Sequence, residues 1–161
     1  MPELVAEQVD TSVTRELRRR VLRPHQTEEE LARASDVPGV VMFAVRDPGT
    51  GEVLTTANVR QERPSAPLAE LIAPGEAVWR LRGMATREGL RSQGLGRKVL
   101  DACMEHVARK GGGFVWCSAR VGARRFYSKA GFEELGGDFE VRVLGTHVLM
   151  FQRVPASGKG S

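Results

Sequence analysis

The sequence predicts an α/β domain built on one mixed sheet. Three observations carry that reading. Apolar, β-branched runs alternate with amphipathic segments of helical period, in the order β-α-α-β-β-β-α-β-α-β-β. A central stretch, residues 79–100, passes from strand through a glycine-bearing loop into a helix. A content of 41% hydrophobic and 27% charged residues over 161 positions suits one soluble globule with a full core, and neither an internal repeat nor a domain linker interrupts it.

Taken in order, residues 4–9 read as a short strand. Thr11 or Ser12 then caps a helix that runs to about Leu22, with Glu16 in its first turn, and Pro24 ends it. Thr27, followed by three glutamates, resembles a second helix start carried on to Ala34. Residues 40–45 form a strand, Asp47-Pro48-Gly49-Thr50-Gly51 is turn chemistry, and residues 52–59 return as the hairpin partner. Residues 63–74, with three prolines, are a loop leading into the central strand, 79–86. Leu95, Val99, Cys103 and Val107 repeat at i, i+4 and mark one apolar face of a helix that stops at Gly111-Gly112-Gly113. A compact strand at 114–117 follows. A helix from 122 to 130 then presents Ala123, Phe126, Tyr127 and Ala130 on one side, and Gly131 stands just past its end. Two strands, 139–144 and 147–154, close the domain at about residue 154, and residues 155–161 are expected to be a disordered tail.

The net charge of +4 comes from arginine. Arg15, Arg18, Arg19, Arg20 and Arg23 gather on the first helix, where Val13, Leu17, Val21 and Leu22 supply an apolar side, so the arginines are expected on its solvated face. No zinc finger or RNA-binding aromatic pattern accompanies them, which leaves nucleic acid an unfavoured partner. Cys103 and Cys117 have no metal spacing and no disulfide framework; they read as small buried hydrophobes in a reducing compartment, and no metal site is expected. The N-terminus lacks the features of a signal peptide and no run is long enough to span a membrane, so the expected location is cytoplasmic.

The loop Arg91-Ser92-Gln93-Gly94-Leu95-Gly96 delivers glycines to a helix N-terminus, which clusters free N–H groups ahead of the positive end of the helix dipole. Glycine keeps a Cβ from holding a ligand away from those amides. A Walker loop is excluded because Leu95 follows Gly94 where lysine is required, and a dinucleotide fingerprint because Val99 stands at the third glycine. What remains is RxxGxG followed by Arg97 and Lys98. Taken alone it is either a phosphate site or a plain helix start.

With this loop after its fourth strand, the chain resembles the GNAT superfamily of acetyl-CoA-dependent N-acetyltransferases over almost its whole length. Arg91, Gly94 and Gly96 match the family's [R/Q]xxGxG, and Ala123-Arg124-Arg125-Phe126-Tyr127-Ser128-Lys129-Ala130-Gly131-Phe132 is similar to its AxxxYxxxGF helix. The resemblance implies a single domain over 1–154, with a mixed, mostly antiparallel central sheet flanked by helices. It implies acetyl-CoA as co-substrate. The backbone of Met84, Ala85 and Thr86 would pair with the pantetheine arm like an added strand, Ser92, Gln93, Gly94, Leu95, Gly96 and Arg97 would join Arg91 in holding the pyrophosphate, and Tyr127 would protonate the departing thiolate. Tyr127 is otherwise a core aromatic. Two positions depart from the family pattern: Arg120 stands where asparagine is common, and Glu88 where proline is common.

Acetyl transfer needs a neutral amine, a polarised thioester carbonyl and a proton for the thiolate. An alkyl ammonium with a pKa of about 10.4 is neutral only about once in a few thousand molecules at pH 7, so a base is required. A phenol at about 10 and a thiol at about 8.5 are matched for proton transfer as the bond breaks. Backbone N–H groups of the central strand can polarise the carbonyl. Glu70, Glu76, Glu88 and His147 are base candidates by residue type, and none is singled out. The acceptor is a small-molecule amine or a peptide or protein amine. The alternatives are a non-catalytic coenzyme A-binding regulatory module and an arginine-helix nucleic-acid binder, and a homodimer through exposed terminal strands is open.

Overall fold

Runs rich in Val, Thr, Phe and Trp become strands in a computed structural model that describes residues 3–35 and 37–157. The elements are β1 (Glu7–Val9), α1 (Arg15–Leu22), α2 (Glu28–Ser35), β2 (Val41–Arg46), β3 (Val53–Gln61), β4 (Val78–Thr86), α3 (Leu95–Arg109), β5 (Gly113–Arg120), α4 (Arg124–Lys129), β6 (Glu133–Val141) and β7 (Gly145–Val154). The strands hydrogen-bond in the order β1-β2-β3-β4-β5-β7-β6. β4 and β5 are parallel, whereas the β1–β2, β2–β3, β5–β7 and β6–β7 pairs are antiparallel, so the sheet is mixed and mostly antiparallel as expected. The chain divides into two compact units, Met1–Arg60 with Arg82–His106, and Gln61–Leu81 with Val107–Ser161; β4 and α3 run through both.

In the first unit, alternation along β2 sends side chains to two helical layers. Met42 meets Thr14, whose hydroxyl donates to the Met42 sulfur, while Phe43 meets His106 of α3 edge-on at 6.1 Å. Covered on both sides, β2 and β3 bury Met42, Ala44, Val45, Ala57 and Val59 almost completely, which is why β2 reads as a near-continuous apolar run. α3 buries Leu95, Val99, Cys103 and Val107, the i, i+4 face expected of it. Thr27 and Glu30 form a reciprocal capping box at the start of α2, each N–H meeting the other's side chain at 3.1 Å.

In the second unit, Leu68, Val78, Phe114 and Trp116 form a buried cluster against which Ile72, Leu135, Leu149 and Phe151 pack. The segment before β4 is tied down by polar contacts. Trp116 Nε1 donates to Glu62 O at 2.9 Å, Arg80 pairs with Glu62 at 2.8 Å and lies over the Trp116 ring, and Arg153 pairs with Glu76 at 2.7 Å while donating to Leu71 O. A 3-10 turn, Leu68–Leu71, therefore forms inside what reads from sequence as a loop.

Three sequence expectations are corrected. The first helix begins with a 3-10 turn, Thr11–Thr14, capped by Asp10 instead of Thr11 or Ser12; the Asp10 carboxylate accepts from Ser12 N–H at 2.9 Å. The arginines of α1 do not all face solvent. Arg18 is 3% exposed, with Nε donating to Thr14 Oγ1 at 2.9 Å and Nη2 to Thr11 O at 3.0 Å, whereas Val13 is 38% exposed. The long arginine stem packs as an apolar chain, which a charge count does not register. Finally, β6 starts six residues before the expected 139 and ends at Val141. Its Glu133-Glu134-Leu135-Gly136-Gly137-Asp138 opening lies on an edge strand with mostly exposed side chains, and its register shifts between Leu135 and Phe139, so no alternation marks it. Of the expected tail at 155–161, residues 158–161 lie outside the described residues, and Ser157 N–H donates to Ala108 O at 2.9 Å.

Candidate active site

Between β4 and α3, residues 91–94 are exposed and Leu95 is buried beneath them. α3 starts at Leu95, so Gly94 stands directly before it and Leu95, Gly96 and Arg97 make its first turn. The first amides of a helix have no intrahelical acceptor. A preceding glycine offers no side-chain oxygen to cap them, and no acidic residue occupies the first turn. Bare amides with the dipole behind them select an anion. The route of the loop is fixed by two left-handed residues, Ser92 with φ 67° and Gly94 with φ 80°. A Cβ on Gly94 would meet no atom within 4 Å, so backbone angle, not crowding by the protein, demands glycine there. Arg97 is drawn along the helix by Asp101, Nε to Oδ1 at 2.8 Å.

The parallel ladder between β4 and β5 joins Val78, Trp79 and Arg80 to Phe114, Val115 and Trp116, and among the described residues it extends no further. Met84, Ala85 and Thr86 lie past its end and are held from β3, where Thr55 Oγ1 donates to Ala85 O at 3.1 Å and meets Thr86 Oγ1 at 3.0 Å. At the two ends of the β3–β4 pair, Arg87 N–H bonds Leu54 O and Glu62 N–H bonds Val78 O. The stretch 78–87 is one residue longer than the stretch 54–62 that it faces, so β4 carries a bulge. Gly83, with φ 69°, sits inside it, directly opposite Asn58 in the register set by Leu54 and Arg87. A Cβ on Gly83 would fall 2.5 Å from Asn58 Nδ2 and 3.7 Å from Arg18 Cδ.

Tyr127 lies in the second unit on the short helix α4. Its ring is 6% exposed and meets Phe126 and Phe132 edge-on at 5.1 and 5.6 Å. The turn that follows is the expected glycine C-cap: Gly131 has φ 99°, and Phe132 N–H reaches back to Tyr127 O at 3.0 Å. The chain thus gathers Met84, Ala85, Thr86 and the 91–97 loop within one unit and seats Tyr127 in the other.

The base candidates differ in environment. The Arg153 guanidinium and then the Ala73 N–H hold the Glu76 carboxyl below its usual range, which makes it a weaker base. Glu70 and Glu88 are exposed. His147 is buried, and its Nδ1 lies 2.9 Å from Gly145 O. A carbonyl accepts only, so Nδ1 donates in this contact. Burial raises both thiols, Cys117 to about 12, so neither cysteine is a thiolate nucleophile near neutral pH. Sequence reasoning missed Asn58, Thr55 and Gly83. The visible signal was polar residues inside an otherwise apolar strand and a glycine in the middle of its neighbour.

The sequence matches the acetyltransferase (GNAT) family over residues 7–132. It is 32% identical over 145 residues to YitI, an uncharacterized N-acetyltransferase of Bacillus subtilis, covering 89% of this chain and 92% of that protein. Among solved structures, an aminoglycoside 6′-N-acetyltransferase complexed with coenzyme A superposes with a TM-score of 0.71 at 12% identity, covering 96% of this chain and 99% of the other. The ribosomal-protein-S18-alanine N-acetyltransferase of Escherichia coli superposes at 0.70 with 16% identity, covering 98% and 97%. These relatives give no support to the non-catalytic binding module. Among the described residues, no helix is long and apolar enough to cross a membrane.

Proposed function

Because this chain belongs to the acetyltransferase (GNAT) family and is an N-acetyltransferase, we propose that it transfers acetyl from acetyl-CoA to a primary amine by direct attack, with Tyr127 as general acid. The observation that carries the cofactor assignment is the left-handed Ser92–Gly94 loop leading into the start of α3, whose first turn holds no acidic residue. A diphosphate is the anion that such a cradle of bare amides suits.

When bound, acetyl-CoA supplies the thioester carbonyl and the thiolate leaving group. The chain's own groups do the rest. Arg91 and the amides of residues 92–97 hold the pyrophosphate. Met84, Ala85 and Thr86 offer a strand edge to the pantetheine amides, and a backbone N–H of that segment polarises the carbonyl. The Tyr127 phenol gives its proton to the departing sulfur as the carbon–sulfur bond breaks, and the proton that the attacking nitrogen sheds on becoming an amide leaves through water and restores the phenol. Most of the acceleration then comes from holding amine and thioester in register. The acceptor is a small-molecule amine or a peptide or protein amine. Both kinds are named among the structural neighbours, an aminoglycoside enzyme and a ribosomal-protein-alanine enzyme.

The test is thiol release from acetyl-CoA in the presence of aminoglycosides, amino acids and peptides with free N-termini. Amine-dependent release by wild type, lost in Tyr127→Phe, is the expected result. Full release by the variant would remove the general-acid assignment.

A further inference from the structure

Asn58 has no part in the reaction as described, yet its surroundings are unusual. It lies in the middle of β3 and is 3% exposed. A carboxamide taken out of water in the middle of a strand is costly to desolvate and asks for a reason. It also stands across from Gly83, the one residue of β4 with a left-handed backbone, and its Nδ2 fills the place that a Cβ on Gly83 would take. Gly83 is partly exposed although Leu81 and Ala85, two residues to either side, are buried, so solvent reaches the backbone at the bulge itself. The next residues are Met84, Ala85 and Thr86, past the end of the ladder to β5.

A left-handed residue in a strand rotates the peptide planes on both sides of it and breaks the alternation of N–H and C=O along the edge. Glycine adopts that conformation without strain, so the packing beneath it selects which of its open rotations the strand takes. Arg18, whose Cδ approaches the same point, closes the floor from the α1 side. We propose that Asn58 is a positioning residue: wedged under Gly83, it sets the bulge so that a β4 amide is aimed at the thioester carbonyl. The inference rests on the acetyl-CoA reading above. It concerns the direction of one amide, not the presence of the cofactor site, whose pyrophosphate cradle lies on the 91–97 loop.

The experiment uses acetyl-CoA labelled with carbon-13 at the acetyl carbonyl and needs no acceptor amine. The full chain is compared with Asn58→Ala and with Asn58→Thr, a β-branched strand residue that keeps the variant foldable. Calorimetry gives the Kd, melting gives the folded fraction, and carbon NMR reads the polarisation of the bound carbonyl. In wild type the bound resonance lies downfield of free acetyl-CoA. In both variants the Kd is retained, the resonance moves back toward the free value, and turnover with any accepted amine falls about a hundredfold, as a misplaced reacting group predicts. Retention of the wild-type resonance in a folded variant overturns the inference. So does a loss of binding that merely tracks a loss of melting temperature, because Asn58 would then be structural only. A wild-type chain that binds acetyl-CoA with no carbonyl shift also overturns it while leaving the cofactor reading intact. No binding by wild type at all removes both.

Discussion

Replacing Tyr127 with phenylalanine deletes one oxygen and keeps the ring. The structure sets the size of each effect. The edge contacts to Phe126 and Phe132 survive, as does the backbone turn in which Tyr127 O accepts from Phe132 N–H. What stability loses is the contribution of one hydroxyl, on the scale of a single hydrogen bond at about 1 kcal/mol, or roughly 2–4 °C in melting temperature for a chain of this length. Tyr127→Ala is different. Emptying a site that is 6% exposed should cost about 3–5 kcal/mol, and a loss of activity in that variant would say nothing about chemistry. For Tyr127→Phe, losing a general acid lowers kcat by about 10²–10⁴, with the KM for acetyl-CoA unchanged, since the proton moves only in the transition state. The assay is thiol release at saturating acetyl-CoA, alongside a melt of the same preparation. A variant that melts within a few degrees of wild type and turns over at the wild-type rate would refute the assignment and return Tyr127 to the core.

Two further predictions rest on separate features. Gly94→Ala places a Cβ in open space but at φ 80°; the left-handed conformation should cost about 1–2 kcal/mol, so the protein folds with a modestly lower melting temperature, while calorimetry should find acetyl-CoA binding weakened because the bare amides are re-aimed. The second concerns acid. The folded Glu76 carboxyl titrates below its ordinary 4.5, chiefly through Arg153. The stability that this contact contributes is therefore fully present above about pH 4.5 and lost as pH falls through the lower folded value. A Glu76→Gln variant should be less stable than wild type at pH 7 and converge with it on acidification; parallel melting curves across that range would remove the contact from the account.

The strand–loop–helix segment was legible because its signals are local. Glycine spacing names a helix start, and Leu95, Val99, Cys103 and Val107 show which side of α3 is buried. Gly131 closed α4 where its position after the apolar face said it would. What was not legible depends on partners distant in sequence. Asn58 and Gly83 become a unit only when β3 and β4 align, and a polar residue in an apolar run reads equally well as a solvated one. Arg18 looked like a surface charge because five arginines between positions 15 and 23 dominate the count, yet its guanidinium bonds backward to Thr14 and Thr11 and its stem packs inward. The opening of β6 was hidden for the opposite reason. An exposed edge strand has no buried face to impress a period on its sequence.

The central claim is that the Arg91–Gly96 loop and the β4 edge bind acetyl-CoA, and thermal melting with and without excess acetyl-CoA tests it most directly, with NADH and ATP as controls. At a hundred times the dissociation constant the ligand should add about 2.7 kcal/mol of stability, a rise of roughly 5–11 °C. The account predicts that rise with acetyl-CoA and not with either control, and its reduction in Gly94→Ala. An unchanged melting temperature at saturating acetyl-CoA would contradict it and leave residues 91–96 as no more than the entrance to a helix.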